Sequence, residues 1–215
     1  MNIIIRREEE KDYKRVEEIA REAFWNLYFP GANEHYIIHK MRSHKDFIKE
    51  LALVIEIDGI VQGGIFYTNS KIVSPNGKEY QTISFGPVFI AKNLHRKGLG
   101  RELITHSIKV AKKLGYRGIL TLGYPYHYNP YGFIGGKKYN ISMGDMNYYT
   151  GLLALPLYEG ALDNISGYAV FSDTLEATPE EVEEFDKNFT PMEKGFQESQ
   201  VEFEKACIQL DKNIY

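Results

Sequence analysis

The sequence predicts an α/β (α+β) protein in which a mixed, mostly antiparallel central sheet is flanked by helices and followed by a C-terminal helical appendage. Short β-branched and aromatic runs are separated by the hairpin dipeptides Asp58-Gly59 and Asn76-Gly77, which indicates an antiparallel meander. The last of these runs leads through a glycine-punctuated turn into an amphipathic helix and then into a buried strand. A helical crossover of this kind makes the strands before and after it parallel.

Length and composition limit the kind of protein. A chain of 215 residues can form one sizeable domain, and we expect it at residues 1–150, with residues 151–215 as a strand and helical extension packed on it. Hydrophobic residues make up 43% and charged residues 26%, as is typical of soluble globular proteins. The net charge of −3 argues against a nucleic-acid partner bound by a broad basic surface.

Signals for targeting, membranes and metals are weak. No apolar run reaches the ~20 residues that span a bilayer, and the N-terminus becomes charged at once, so we expect a cytoplasmic protein with no membrane partner. The single cysteine, Cys207, excludes an intrachain disulfide, and its late helical pattern predicts a buried structural thiol. His35 and His39 fall at helical spacing, but we expect no metal.

The N-terminal elements are a strand and two helices. Residues 2–6 form a β-branched run, and apolar residues at helical spacing then predict a helix from near Asp12 to Phe24. The aromatic segment at residues 25–40 predicts a loop followed by a helix from about Glu34. Its ionisable members are explained by a solvated polar helix face; they are Glu34, His35 and His39.

The following elements alternate between strands and helices. The amphipathic helix after the turn has an apolar face that includes Leu103, Ile108 and Leu114, and Gly115 is a suitable stop. Thr178-Pro179 with Glu181 predicts a capped helix start near the C-terminus, and a further helix follows. The predicted strands cover residues 51–57, 61–68, 71–73, 80–90, 117–123, 152–158 and 168–171, and the last helix covers residues 197–210.

The turn at residues 95–101, HRKGLGR, is the strongest candidate for a binding site. Gly98 and Gly100 let the backbone approach a ligand closely. The first amides of a helix have no internal partners and lie at the positive end of its dipole, which favours anions. Arg96, Lys97 and Arg101 add positive charge. A pyrophosphate fits this turn.

Two other glycine-rich motifs do not match. A dinucleotide-binding fingerprint needs glycine where the chain has Leu103, and no P-loop sequence is present. The turn resembles motif A of the GNAT-type N-acetyltransferases, Gln/Arg-x-x-Gly-x-Gly/Ala, whose amides bind the pyrophosphate of acetyl-coenzyme A. His95 stands where that motif prefers Gln or Arg, so this side-chain contact departs from the family pattern.

A second motif strengthens the resemblance. Tyr128 precedes Gly132-Phe133 in a Tyr-x-x-x-Gly-Phe pattern that is common in GNAT enzymes after the fifth strand. The segments GYPYHYNPYGF and NEHYIIHKMR, with the sequence that follows, are similar to a bacterial branch of acetyltransferases of the YhbS type. Aromatic packing with the neighbouring tyrosines is the other explanation for Tyr128.

The resemblance implies an N-acetyltransferase that transfers an acetyl group from acetyl-CoA, its cosubstrate, to a primary amine of a small molecule or protein, by direct attack in a ternary complex. It places Tyr128 as the general acid and residues 25–40 over the acceptor site. Glu34 is the candidate general base, with Glu56 and His127 as alternatives. The implied acetyl-CoA contacts are Val88, Phe89, Ile90, His95, Arg96, Lys97, Gly98, Leu99, Gly100, Arg101, Asn129 and Tyr131.

Other functions remain open at this stage. The nearest is a non-catalytic acyl-CoA-binding module of the same fold, and the next is an α/β protein that binds a nucleotide or phosphate ester at the Gly98 turn. The sequence also allows a homodimer and leaves the acceptor amine unnamed, because loops build the acceptor pocket.

Overall fold

The structure is a computed structural model and describes residues 2–215. Its helices are α1 (Tyr13–Phe24), α2 (Glu34–Met41), α3 (Leu99–Lys113), α4 (Pro125–Tyr128), α5 (Pro179–Asp186) and α6 (Glu198–Ile208). Its strands are β1 (Ile3–Arg7), β2 (Leu53–Ile57), β3 (Ile60–Val73), β4 (Glu79–Ile90), β5 (Gly118–Leu122), β6 (Ile134–Gly135), β7 (Ile141–Ser142), β8 (Leu152–Pro156) and β9 (Gly167–Val170). This order confirms the predicted α/β class.

The first of two compact units comprises residues 2–67, 86–107 and 173–201. Here β1 and β2 pair antiparallel with Ile3 opposite Ile57, and β2 pairs antiparallel with β3. The hairpin between β2 and β3 has positive φ at Asp58 and Gly59, +49° and +84°, as the predicted tight turn requires. The buried core of this unit draws on α1, α2 and the strands, and its largest members include Trp25, Ile38, Met41, Phe66 and Phe89.

The second unit comprises residues 68–85, 108–172 and 202–215. Strands β4 and β5 are parallel, with Ile83 opposite Ile119, which confirms the crossover predicted from the sequence. Strand β8 pairs antiparallel with β5 and with β6, and β9 pairs antiparallel with β3 and parallel with β7. The core of this unit includes Ile72, Leu120, Ile141, Leu152 and Leu162.

The sequence predicted two strands at residues 61–68 and 71–73, but the structure has one continuous strand, β3. Polar residues at the predicted break between these strands, Thr68 and Ser70, find partners on β4. Thr68 Oγ1 lies 3.1 Å from Ser84 Oγ, and Ser70 Oγ lies 2.8 Å from Thr82 Oγ1, with all four side chains buried. Polar residues in an apolar run indicate the end of a strand when only the local sequence is considered. Here the side chains of the neighbouring strand satisfy their hydrogen-bonding groups, so the strand continues.

Two burial predictions are also wrong. Leu114 was placed on the apolar face of α3, but the helix ends at Lys113 and the Leu114 side chain is 45% exposed. Gly115, with φ of +80°, takes the left-handed conformation of a helix stop, as predicted. Cys207 was expected to be buried, but it is exposed on α6. Helical periodicity near the end of a helix does not show which of its faces packs against another element.

The C-terminal helix start is confirmed. Thr178 is the N-cap of α5, and its Oγ1 accepts the amide of Glu181 at 3.3 Å. The Glu181 carboxylate in turn accepts the Thr178 amide at 2.9 Å, which completes the capping box. Among residues 2–215, no helix has both the length and the apolar character needed to cross a membrane.

Candidate active site

Strand β4 leads directly to the candidate phosphate turn in the first unit. The strand ends at Ile90, a short 3-10 turn covers Lys92–Leu94, and α3 begins at Leu99. His95 Nε2 lies 2.8 Å from the carbonyl oxygen of Ile90, so the imidazole connects the turn to the end of the strand. His95 therefore holds the turn against the end of β4, a role that the Gln or Arg of the family motif does not suggest.

Gly98 has the conformation and the open surroundings that the phosphate turn needs. Its φ is +84°, in the left-handed region that disfavours side chains, and a Cβ built on it would meet nothing within 4 Å. At Gly100 the nearest atom to such a Cβ is Ile90 Cγ1 at an ordinary 3.8 Å. Protein packing therefore does not fill the space in front of either glycine, and a ligand can approach the backbone there.

The N-terminus of α3 concentrates positive potential on this turn. The Glu102 amide donates to the Gly98 carbonyl oxygen at 3.1 Å, and the helix amides before it belong to the first turn, which has no intrahelical acceptors. Arg96, Lys97 and Arg101 are exposed, and none of them forms an ion pair with another part of the described chain. Arg96 itself has φ of +61°. The arrangement suits an anion with two phosphate groups.

The last residues of β4 offer mainly backbone to a ligand. The Phe89 side chain is buried in the core of the first unit, beside the rings of Phe24 and Phe66. Val88 is partly exposed, and Ile90 is buried. Contacts from Val88, Phe89 and Ile90 to an acyl-CoA would therefore come from main-chain groups.

Glu34, the candidate base, begins α2 in the same unit, and it is buried. The sequence analysis explained Glu34 as part of a solvated helix face, but the side chain is only 9% exposed. Its carboxylate accepts the Asn33 amide at 3.1 Å. Burial raises the pKa of Glu34 to about 7, although the backbone hydrogen bonds act to lower it. A carboxyl group with this pKa exchanges protons near neutral pH.

His35 was also expected on a solvated face, but it is fully buried. Its Nε2 donates to Asp186 Oδ1 at 3.0 Å, and its Nδ1 is buried without a hydrogen-bond partner among residues 2–215. Burial lowers the pKa of His35 to about 4, so the ring is neutral at neutral pH. His39, by contrast, has a side chain that is 53% exposed, as expected.

Asp186 connects α5 to both α1 and α2. Its carboxylate accepts hydrogen bonds from Arg21 Nε at 2.6 Å and from Arg21 Nη2 at 2.9 Å, which makes a bidentate ion pair. The same carboxylate also accepts the hydrogen bond from His35. Burial acts to raise the pKa of Asp186, but Arg21 and His35 outweigh it and hold the pKa below its usual value. Arg21 also lies over the Trp25 ring at 4.2 Å. Sequence analysis missed this cluster because its members are far apart along the chain.

Tyr128 lies in the second unit, at the end of α4. Its ring packs against Phe85 and Phe133 at centroid distances of 5.4 Å and 5.8 Å, and a Cβ on Gly123 would come within 2.5 Å of it. Burial and the neighbouring Tyr131 raise the pKa of the Tyr128 phenol to about 12. The ring contacts are compatible with a packing role for Tyr128. An acid role is also compatible with them, because a buried phenol stays protonated.

The remaining candidates differ in their surroundings. With its amide nitrogen towards the backbone, the Asn129 side chain donates to Phe133 O and Pro125 O, each at 3.1 Å, which stabilises its own turn. Tyr131 is partly buried beside it. Glu56, an alternative base, is held by Arg6 with an Nη2 to Oε2 distance of 2.8 Å. His127, the other alternative, is exposed, and partial burial of its ring lowers its pKa.

One group of possible metal ligands lies in the first unit. His44, Asp46 and Asp173 place their ligand atoms within 4.8 Å of one another. Hydrogen bonds account for the arrangement: His44 Nδ1 accepts the Asp46 amide at 3.2 Å, and Nε2 faces Asp173 Oδ1 at 3.1 Å. The two carboxylates thus lie on opposite nitrogens of the ring, which does not favour a shared cation.

Known proteins with similar sequences indicate the family of this chain. Residues 17–131 match the model of the acetyltransferase (GNAT) family. The chain is 28% identical over 106 residues to the uncharacterized N-acetyltransferase YhbS of Escherichia coli K12, an alignment that covers 49% of this chain and 60% of YhbS. The chain therefore spans about three fifths of the length of the curated relatives that it matches.

Solved structures show the same fold. The crystal structure of YhbS from Escherichia coli in complex with CoA has a TM-score of 0.71 at 20% identity, with 81% of this chain and 92% of that one covered. A GNAT family acetyltransferase from Brucella melitensis in complex with acetyl-CoA has a TM-score of 0.66 at 22% identity, with 81% and 99% covered. With the family match over more than half of its length, this chain belongs to the acetyltransferase (GNAT) family.

Proposed function

We propose that this protein transfers the acetyl group of acetyl-CoA to a primary amine of an acceptor, by direct attack in a ternary complex. The observation that carries the proposal is the turn before α3, where an open, left-handed Gly98 and three exposed cations meet a helix N-terminus. The turn supplies the charge and the backbone donors that a pyrophosphate needs. The structures of relatives that hold CoA or acetyl-CoA support the same choice of cosubstrate.

In the proposed reaction the acceptor nitrogen forms a bond to the thioester carbonyl carbon, and the bond from that carbon to sulfur breaks. A main-chain amide among Val88, Phe89 and Ile90 is the proposed donor to the developing oxyanion, an interaction typically worth ~3 kcal/mol. The departing sulfur needs a proton, and the attacking nitrogen must lose one. Side chains of this protein carry out both proton transfers in the proposed reaction.

Tyr128 is the proposed proton donor to sulfur. Its raised pKa, about 12, keeps the phenol protonated throughout the neutral range. The same shift widens the gap to a thiol of pKa ~8.5, so donation is proposed to accompany cleavage of the carbon–sulfur bond rather than to follow it.

Glu34 is the proposed proton acceptor from the amine. An alkylamine of pKa ~10 is mostly protonated at neutral pH and must lose a proton before it can attack. A carboxyl with a pKa of about 7 accepts protons better than an ordinary glutamate and is still ionised in part at neutral pH. Glu56 is less suited because the Arg6 guanidinium already holds its carboxylate.

The first test is binding and turnover of the wild-type protein. We expect acetyl-CoA to release heat in calorimetry and to raise the melting temperature, and we expect acetyl transfer to some member of a broad primary-amine panel. Tyr128→Phe should then lower turnover about tenfold or more with little change in acetyl-CoA affinity. Tyr158→Phe, at an exposed tyrosine outside α4, is the matched control and should leave turnover unchanged.

The results that would contradict the proposal are distinct. A folded protein that neither binds acetyl-CoA nor is stabilised by it would remove the assignment as a whole. Binding without transfer to any amine, and without slow thioester hydrolysis, would replace the enzyme by a non-catalytic acyl-CoA-binding module. Unchanged turnover in Tyr128→Phe would remove only the acid role of Tyr128.

A further inference from the structure

An exposed group of aromatic rings in the second unit has no role in the reaction described so far. Tyr124, Tyr126 and His127 form this group, which we name the aromatic shelf. The Tyr124 and Tyr126 rings are stacked with centroids 5.3 Å apart and planes at 25°, and the His127 ring lies 4.3 Å from Tyr126. Tyr126 is 66% exposed, although a large ring usually buries more of its surface.

The electrostatics of the shelf favour a positively charged ligand. Partial burial lowers the pKa of His127, so its ring is neutral at neutral pH and adds no positive charge. Burial raises the pKa of the Tyr124 phenol, and the charges of Tyr126 and of Glu202 on α6 act in the same direction. Glu202 is exposed and forms no ion pair within residues 2–215. Exposed ring faces attract cations, and a carboxylate on the same unit adds to that attraction.

The shelf is continuous with the proposed acid. The His127 ring contacts Tyr128 at a centroid distance of 6.4 Å. The shelf therefore adjoins the ring of the tyrosine that is proposed to protonate the sulfur. The reacting nitrogen itself must be neutral, so a shelf that stabilises a cation is unsuited to hold that nitrogen and suited to hold a second one.

We propose that the aromatic shelf and Glu202 bind a second group of the acceptor that is positively charged at neutral pH, so that the acceptors are aliphatic amines with a further positive charge, such as diamines. This inference rests on the proposed acetyl transfer and specifies its substrate class. The rings act on the cation through their faces, and the Glu202 carboxylate acts through charge. Neither group takes part in proton transfer.

The kinetic test compares substrates of equal size. Diaminoalkanes of three to six carbons are each compared with the alkylamine that has a methyl group in place of the second amino group. We expect kcat/KM to favour at least one diamine by about threefold to thirtyfold, mainly through KM. Tyr126→Ala should abolish the preference, and Glu202→Gln should reduce it. The controls Tyr158→Ala and Glu204→Gln, at exposed positions outside the shelf, should retain it.

A binding measurement separates this inference from the proposed function. Choline and its neutral isostere 3,3-dimethylbutan-1-ol are titrated into the full chain, and the shifts of the tyrosine ring resonances are followed by NMR. We expect choline to bind more tightly than the isostere in the wild type and equally weakly in Tyr126→Ala. Equal binding of the two probes by the wild type, or a diamine preference that survives Tyr126→Ala, would overturn the inference even if acetyl transfer is confirmed.

Discussion

Two regions of the first unit handle charge in opposite ways. The turn at residues 95–101 exposes cations that no other described residue neutralises. The contact of α5 with α1 and α2 buries Arg21 and His35, and both donate hydrogen bonds to the single carboxylate of Asp186. Charge that is left exposed is available to a ligand, whereas buried charge must be matched within the protein. The first region therefore suits binding, and the second suits stability.

The largest expected effect comes from the buried region. Asp186→Ala leaves the Arg21 guanidinium, whose side chain is 5% exposed, without its carboxylate. Removal of one partner from a buried ion pair is expected to cost about 3–5 kcal/mol of unfolding free energy. Urea denaturation monitored by circular dichroism measures this loss. The matched control on the same helix is Glu184→Ala, which breaks the exposed Glu184–Lys187 pair and should change nothing measurable. Equal losses in both variants would refute the contrast.

The second prediction separates the adjacent buried residues Glu34 and His35 by pH. The pKa of Glu34 is raised to about 7, so its stabilising contribution is complete below pH ~4.5 and is lost as pH rises to 7. The pKa of His35 is lowered to about 4, so its contribution is complete above pH ~6.5 and is lost as pH falls to 4. The two slopes oppose each other in the wild type.

Substitution of each residue should isolate its own slope, because the difference between variant and wild type contains only the group that was removed. The unfolding free energy of Glu34→Gln minus that of the wild type should rise by on the order of 3 kcal/mol between pH 4.5 and 8. The same difference for His35→Gln should fall between pH 4 and 6.5. Denaturation curves across this range measure both, and groups common to the proteins cancel in the difference. Parallel differences of the same sign would show that burial does not set these pKa values.

The smallest of the three effects concerns the exposed turn. Gly98→Val places a β-branched residue at φ of +84° and a side chain in the open space before α3, so acetyl-CoA affinity should fall about tenfold to a hundredfold. Gly77→Val is a close control, because Gly77 has φ of +80° and also faces open space. Both variants carry similar backbone strain, so calorimetry should find weaker binding only in Gly98→Val. A similar loss in both would assign the effect to strain.

The sequence predicted most of the fold because its signals are local. Periodicity placed α1 and α3, the Asp58-Gly59 dipeptide predicted a hairpin, and the Thr178 capping box predicted the start of α5. The turn at residues 95–101 became the candidate anion site for the same reason, since glycine spacing and a helix start lie within seven residues. The roles of these residues in binding and catalysis remain proposals that the experiments above test.

Burial and long-range partners were not predictable in this way. Glu34 and His35 were expected in solvent, yet both are buried. For His35, the covering residues Asp186, Phe185 and Phe189 lie some 150 positions further along the chain. Strand β3 continues through polar residues because β4 supplies their partners, and Cys207 is exposed although its helix pattern predicted burial.

By itself, the sequence determined the class of fold, most of the longer strands and helices, and the start of α3 after a glycine-rich turn, since neighbouring residues specify turns and helix ends. Tertiary structure alone decided which ionisable groups lose contact with water. The pKa of Glu34 and of His35, and the ion pair of Arg21 with Asp186, depend on desolvation by segments distant in sequence. A pKa follows from what surrounds a group in space, and no window of sequence contains that information.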